Sequence, residues 1–126
     1  QEKRSHVVWI QEMVNKSAVR ELYSHAAVFC CPSIYEPFGI INLEAMACST
    51  PVVGFNEDAM DYGSSCQRLG YLIPPSPMNG AKILREILGD RARLDELGKR
   101  GRGEVLGCCS WDAVIGSLEK VYRSLA

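Results

Sequence analysis

The feature that most constrains this chain is a window of thirty residues, 26–55, in which Glu36 and Glu44 are the only charged side chains. With 23% charged residues in the chain as a whole, about seven would be expected in such a window. A stretch this apolar predicts the core of a folded domain. Carboxylates are costly to bury without dedicated partners, so the two glutamates are the first candidates for function.

Short apolar runs alternate with helical patterns along the chain. The runs at residues 6–10, 27–31, 51–55 and 70–73 predict buried strands. Helical periodicity follows Ser17, a candidate N-cap, and recurs over 40–48, over 78–88, from about Asp90, and after Ser110, a second candidate N-cap. This alternation predicts an α/β domain with a parallel sheet and helices on both faces.

Composition excludes several classes of protein. The net charge of -1, from 14 Lys and Arg against 15 Asp and Glu, argues against nucleic-acid binding. No apolar run approaches the roughly 18 residues of a membrane span, and the first residues lead into no signal-peptide core. The six cysteines lack the C-x-x-C spacing of a zinc site. We therefore expect a cytoplasmic protein.

The segment between the two glutamates predicts an anion site. Glu36 lies in the loop after a predicted strand, and Glu44 lies near the start of a predicted buried helix. The turn 37–40 between them would offer backbone N–H groups to an anion. Gly39 would let that anion approach closely. The two carboxylates would repel a phosphate, but each can accept hydrogen bonds from a diol. An anion site between two diol sites indicates a diphosphate with hydroxyl-rich groups at both ends, which is a sugar nucleotide. The alternative has Glu36 exposed and Glu44 paired with a distant Lys or Arg.

The segment Glu36-Pro-Phe-Gly-Ile-Ile-Asn-Leu-Glu44 resembles the E-x7-E signature of family-4 retaining glycosyltransferases with the GT-B fold, most closely the bacterial glycogen-synthase type. The resemblance implies a Rossmann-like domain, with residues 1–126 forming the later part of its C-terminal, donor-binding domain. It also implies hexosyl transfer from ADP-glucose or UDP-glucose. Glu36 would bind the transferred sugar, backbone amides of Phe38, Gly39 and Ile40 would face the sugar and diphosphate, and Glu44 would bind the ribose. The resemblance further implies that transfer requires no metal or other cofactor.

Two departures from the family pattern limit what the chain could do alone. The glycine pair that usually follows the strand at 51–55 is absent from the stretch 54–63. The acceptor-binding N-terminal domain and an Arg/Lys pair that neutralises the diphosphate cannot fit before His6. The chain is therefore expected to be inactive alone and to need an N-terminal domain for its glycan acceptor. A non-catalytic sugar-nucleotide-binding module and a decayed structural domain are the alternatives. Because the first strand and helix units of the family's domain are missing, we expect an uncovered sheet edge and some uncovered apolar surface, which predict self-association or a partner.

Overall fold

The computed structural model describes residues 6–12, 15–34, 38–54, 70–73 and 76–125. Helix and strand alternate over the first four described elements, a third strand follows, and three helices complete the described part of the chain. In order they are α1 (Lys16–His25), β1 (Phe29–Cys31), α2 (Ile40–Ala47), β2 (Val52–Gly54), β3 (Gly70–Leu72), α3 (Pro77–Gly89), α4 (Arg91–Cys109) and α5 (Trp111–Leu125).

The strands form a parallel sheet with the order β1-β2-β3. In its register Phe29 of β1 lies opposite Val52 of β2, which in turn lies opposite Gly70 of β3. Strands 27–31, 51–55 and 70–73 are thus confirmed, each slightly shorter than the apolar run that predicted it. Helix α2 makes the connection from β1 to β2, because parallel strands cannot be joined by a tight turn.

The fully buried Val52 and Val53 are adjacent on β2, so they face opposite sides of the sheet. Val52 packs in one cluster with Met46 of α2 and Val105 of α4. Val53 belongs to a second cluster, which includes Ile87 of α3. Helices therefore cover both faces, as the alternation of elements predicts.

Polar side chains mark where several helices begin. Ser110 Oγ accepts a hydrogen bond from Ala113 N at 3.3 Å, which confirms the predicted cap of α5. Asp90 caps α4 in the same way. The predicted cap at Ser17 was wrong by two residues: Asn15 Oδ1 accepts from Ala18 N at 2.9 Å, and Ser17 lies inside α1. Asn15 holds the extended backbone that an N-cap needs.

Helices α2 and α4 approach closely because α4 has glycines where they meet. Gly98 is buried against the turn that follows α2, and Gly101 faces the side chain of Met46. The guanidinium of Arg102 donates a hydrogen bond to the carbonyl of Ala47, at the last residue of α2. These contacts explain Gly98 and Gly101, since glycine otherwise weakens a helix.

The predicted strand at residues 6–10 was wrong. The structure places no strand there, and Val8 and Trp9 are 86% and 79% exposed. A strand needs a neighbour for its backbone hydrogen bonds, and the described part of the sheet ends at β1. The apolar sequence alone could not show whether such a neighbour was within reach.

Exposed apolar surface continues on α5, which has no buried residue. Trp111 at its start and Leu118 near its middle are 82% and 51% exposed. The predicted uncovered apolar surface is therefore present, whereas self-association stays a prediction. Across the residues with described structure, none of the helices combines the length and the apolar character needed to cross a bilayer.

Candidate functional site

The N-terminal end of α2 is built around a left-handed glycine. Gly39 caps the helix with φ 73° and ψ 42°, a conformation that glycine adopts without steric cost. Its carbonyl accepts the N–H groups of Asn42 at 2.9 Å and Leu43 at 3.3 Å. The N–H groups of Ile40 and Ile41, the first two residues of α2, have no acceptor within the helix and face this end of it. The helix dipole adds partial positive charge there, which favours an anion.

Topology places this helix end beside the end of a strand. Helix α2 connects β1 to β2, which are parallel, so the start of α2 lies at the carboxyl end of β1. Ligands of open parallel sheets bind at this edge. Phe38 and Ile40, on either side of Gly39, are 57% and 61% exposed. Gly39 itself is buried, so the turn presents exposed flanking residues around a fixed glycine.

One helical turn further along, Glu44 meets a residue of α1. The hydroxyl of Tyr23 donates a hydrogen bond to Glu44 Oε2 at 3.5 Å. Glu44 is exposed, whereas Tyr23 is half-buried. Burial, and then the neighbouring carboxylate of Glu44, raise the pKa of Tyr23, so the phenol remains a protonated donor at neutral pH.

A cavity of about 300 Å³ opens between α1 and α2, next to this contact. Its walls are mainly apolar, with two cations on α1 and one carboxylate on α2. They are formed by Lys16, Val19, Arg20, Tyr23, Glu44, Ala47 and Cys48. A pocket of this kind can hold a small organic molecule, with the charged groups fixing its orientation.

The structure places four of the five predicted site residues at α2 and the turn that leads into it. Ile40 begins α2, Gly39 is its N-cap, Phe38 directly precedes the cap, and Glu44 lies on the helix itself. Glu36 lies outside the described residues, so its predicted position stays a prediction.

Sequence reasoning missed Tyr23. In the helical pattern that follows Ser17, Tyr23 falls on the apolar face of α1, and its ring does pack against the core there. A signal was nevertheless present, because a tyrosine on a buried face needs a hydrogen-bond partner for its hydroxyl. The pattern could not identify Glu44, 21 residues away, as that partner.

A larger groove, of about 860 Å³, lies between α4 and α5. None of the four predicted site residues that the structure describes, Phe38, Gly39, Ile40 and Glu44, lines it. Its walls include Gly103, Gly107 and Gly116, and a Cβ added at any of them would meet no heavy atom within 4 Å. The groove therefore exists because these positions of the two helices lack side chains.

Comparison with known proteins identifies the family. The family described as "Glycosyl transferases group 1" matches residues 1–104, which include α1, the sheet, α2 and all five predicted site residues. The chain belongs to this glycosyltransferase family. Helix α5 lies beyond the matched residues.

Individual relatives of this glycosyltransferase chain are similar over nearly all its length. It is 33% identical to the alpha-maltose-1-phosphate synthase of Mycolicibacterium smegmatis, over 98% of this chain and 34% of that protein. It is also 33% identical to the D-inositol 3-phosphate glycosyltransferase of Kineococcus radiotolerans, over 93% of this chain and 29% of the relative. The chain thus spans about a third of the length of these proteins.

A solved structure shares the fold. The sucrose-phosphate synthase from Thermosynechococcus elongatus matches with a TM-score of 0.69 and 37% sequence identity, over 82% of this chain and 26% of the synthase chain. That enzyme has the GT-B fold. The prediction of an α/β chain with a parallel sheet, resembling part of a GT-B glycosyltransferase, is confirmed.

Proposed function

We propose that this glycosyltransferase chain is the donor-binding part of a retaining hexosyltransferase of family 4, of the glycogen-synthase type. Its ligand would be a nucleoside diphosphate sugar, with ADP-glucose and UDP-glucose as the first candidates. The observation that carries the proposal is the glycine-capped start of α2 with Glu44 one turn along the same helix. An anion at the helix end and a diol at the carboxylate describe a diphosphate joined to a ribose.

Each site residue has a separate task in this proposal. The backbone N–H groups at Phe38, Gly39 and Ile40 bind the diphosphate and the sugar. Glu44 accepts hydrogen bonds from the ribose hydroxyls, and Glu36 accepts them from the transferred hexose. The helix dipole and backbone donors stabilise the charge that develops on the departing diphosphate, so no metal or other cofactor is required.

Transfer itself needs an acceptor. The relatives are about three times as long as this chain, and two of them are named for making maltose 1-phosphate and sucrose phosphate. We infer that these 126 residues act with an acceptor-binding domain outside them and do not transfer sugar at an appreciable rate alone. A sugar-nucleotide-binding module without transferase activity is the second candidate, favoured by the absence of a glycine pair in the stretch 54–63.

Calorimetric titration of two glutamate variants tests the binding proposal. The ligands are ADP, ADP-glucose, UDP and UDP-glucose. Glu44→Ala should weaken nucleotide and sugar nucleotide alike by about 1.5–3 kcal/mol, since charge-assisted hydrogen bonds to ribose are lost in both. Glu36→Ala should weaken only the sugar nucleotide. Glu86→Ala, at an exposed position of α3, is the matched control and should change neither.

The outcomes separate binding from transfer. Equal losses for both ligands in both variants, or no binding by the parent chain, would mean that the carboxylates are structural. Activity is then measured after complementing the chain with the acceptor domain of a full-length relative. Binding without any transfer in that assay would favour the non-catalytic module over the enzyme part.

A further inference from the structure

The carboxylate of Glu44 would have to be oriented before it could accept two hydroxyl groups of a ribose. A glutamate side chain has several rotatable bonds, and fixing a long side chain of this type costs up to about 2 kcal/mol of conformational entropy. Glu44 is exposed on α2, so burial does not fix it. The hydrogen bond that it accepts from the Tyr23 hydroxyl reaches it from a different helix.

Tyr23, in contrast, is held on two sides. Its ring packs edge-on against Phe29 of β1, with ring centroids 5.2 Å apart and the planes at 85°. Its carbonyl accepts a hydrogen bond from the Oγ1 of buried Thr50 at 2.6 Å. Thr50 directly follows the turn after α2, so the packing of α1, β1 and this turn together determines where the phenol lies.

The geometry leaves Glu44 able to bind a ligand while Tyr23 holds it. The 3.5 Å contact involves Oε2, and a carboxylate can accept about four hydrogen bonds over its two oxygens. A neutral phenol adds no charge that would compete with the ligand for the site. The cavity between α1 and α2 lies beside both side chains, so a nucleoside could reach the carboxylate from there.

From these contacts we propose that Tyr23 is a positioning residue, which holds the Glu44 carboxylate in the orientation that receives the ribose hydroxyls. The proposal rests on the function proposed above, since it assigns a task to Glu44 in nucleotide binding. Its distinctive consequence is that the hydroxyl of Tyr23 matters only for ligands that carry the ribose diol.

Tyr23→Phe tests this with little change in packing, because the ring that contacts Phe29 is retained. The probes are ADP and 2′,3′-dideoxy-ADP, or the matching uridine pair if the parent chain prefers UDP. We expect the variant to bind ADP about 3- to 10-fold more weakly and the dideoxy nucleotide as well as the parent does. In a Glu44→Ala background the same change should have no further effect. Tyr122→Phe, at a 71% exposed position of α5, is the control.

Three results would overturn the assignment. Equal weakening of ADP and its dideoxy form would mean that Tyr23 supports general packing. Unchanged ADP affinity in Tyr23→Phe, together with a loss in Glu44→Ala, would leave the proposed function intact and remove the positioning role. A parent chain that binds neither ADP nor UDP would refute both. Far-UV circular dichroism of each variant confirms that the compared proteins are equally folded.

Discussion

Replacing Gly98 with alanine should destabilise the chain by forcing α4 away from the turn after α2. A Cβ at this position would lie 2.1 Å from the carbonyl oxygen of Ser49 and 3.0 Å from its carbonyl carbon. The turn cannot easily move aside. Ser49 holds a left-handed φ of 63°, and its N–H and that of Thr50 donate to Met46 O at 2.8 Å and Ala45 O at 3.0 Å. Both partners of the clash are therefore rigid backbone.

The magnitude follows from two opposing effects. Over-packing of a closely packed contact costs typically 1–3 kcal/mol, and a backbone clash of this size belongs at the upper end. Alanine in place of glycine within a helix contributes about 1 kcal/mol of stability. We expect Gly98→Ala to lower the free energy of unfolding by about 2 kcal/mol.

The same helix supplies the matched control. A Cβ at Gly103 would meet no heavy atom within 4 Å, so Gly103→Ala should gain the higher helix propensity of alanine without a clash. Urea unfolding is followed by far-UV circular dichroism. The free energy of unfolding should fall in Gly98→Ala and rise in Gly103→Ala, so that the two variants differ by about 3 kcal/mol. If both midpoints move together, by similar amounts, then the contact of α4 with the turn does not limit stability and the reasoning fails.

Two further changes test the cap of α4 and the core. Asp90→Ala removes the carboxylate that accepts a hydrogen bond from Arg93 N at 3.0 Å, and it should lower the free energy of unfolding in urea by about 1 kcal/mol. Asp90→Asn should recover most of this loss, whereas equal losses in both variants would contradict a capping role. Met46→Ala should lower the free energy of unfolding by about 2–5 kcal/mol because Met46 is 1% exposed. Met78→Ala, at an 82% exposed position, should change it by less than about 0.5 kcal/mol. Similar losses at both positions would show that Met46 is not part of the core.

Local patterns predicted local structure well. The start of α5 at Ser110 could be predicted because a capping residue and an apolar stripe occur together within a few positions. The cap of α1 was predicted wrongly at Ser17, since Asn15 and Ser17 are both good capping residues and only the backbone geometry distinguishes them.

Features that depend on distant neighbours were the ones that sequence reasoning missed. The apolar run at residues 6–10 has the composition of a strand, but composition does not reveal whether another strand is available to pair with it. The glycines of α4 indicated a weakened helix and close packing, but the partner of Gly98, the carbonyl group of Ser49, became visible only with α2 in place. In the candidate site, the position of Glu44 on a helix followed from local pattern, whereas its contact with Tyr23 depends on how α1 and α2 pack.

Because α5 has no buried residue, it should unfold locally before the rest of the domain does. Its residues contribute nothing to the two clusters on either side of β2, so its separation from α4 would leave both clusters intact. Segments with few buried contacts unfold locally, at a free energy well below that of the whole domain. Protection of the α5 amide hydrogens against exchange would then reflect this local opening, while those of β2 would reflect the unfolding of the entire domain.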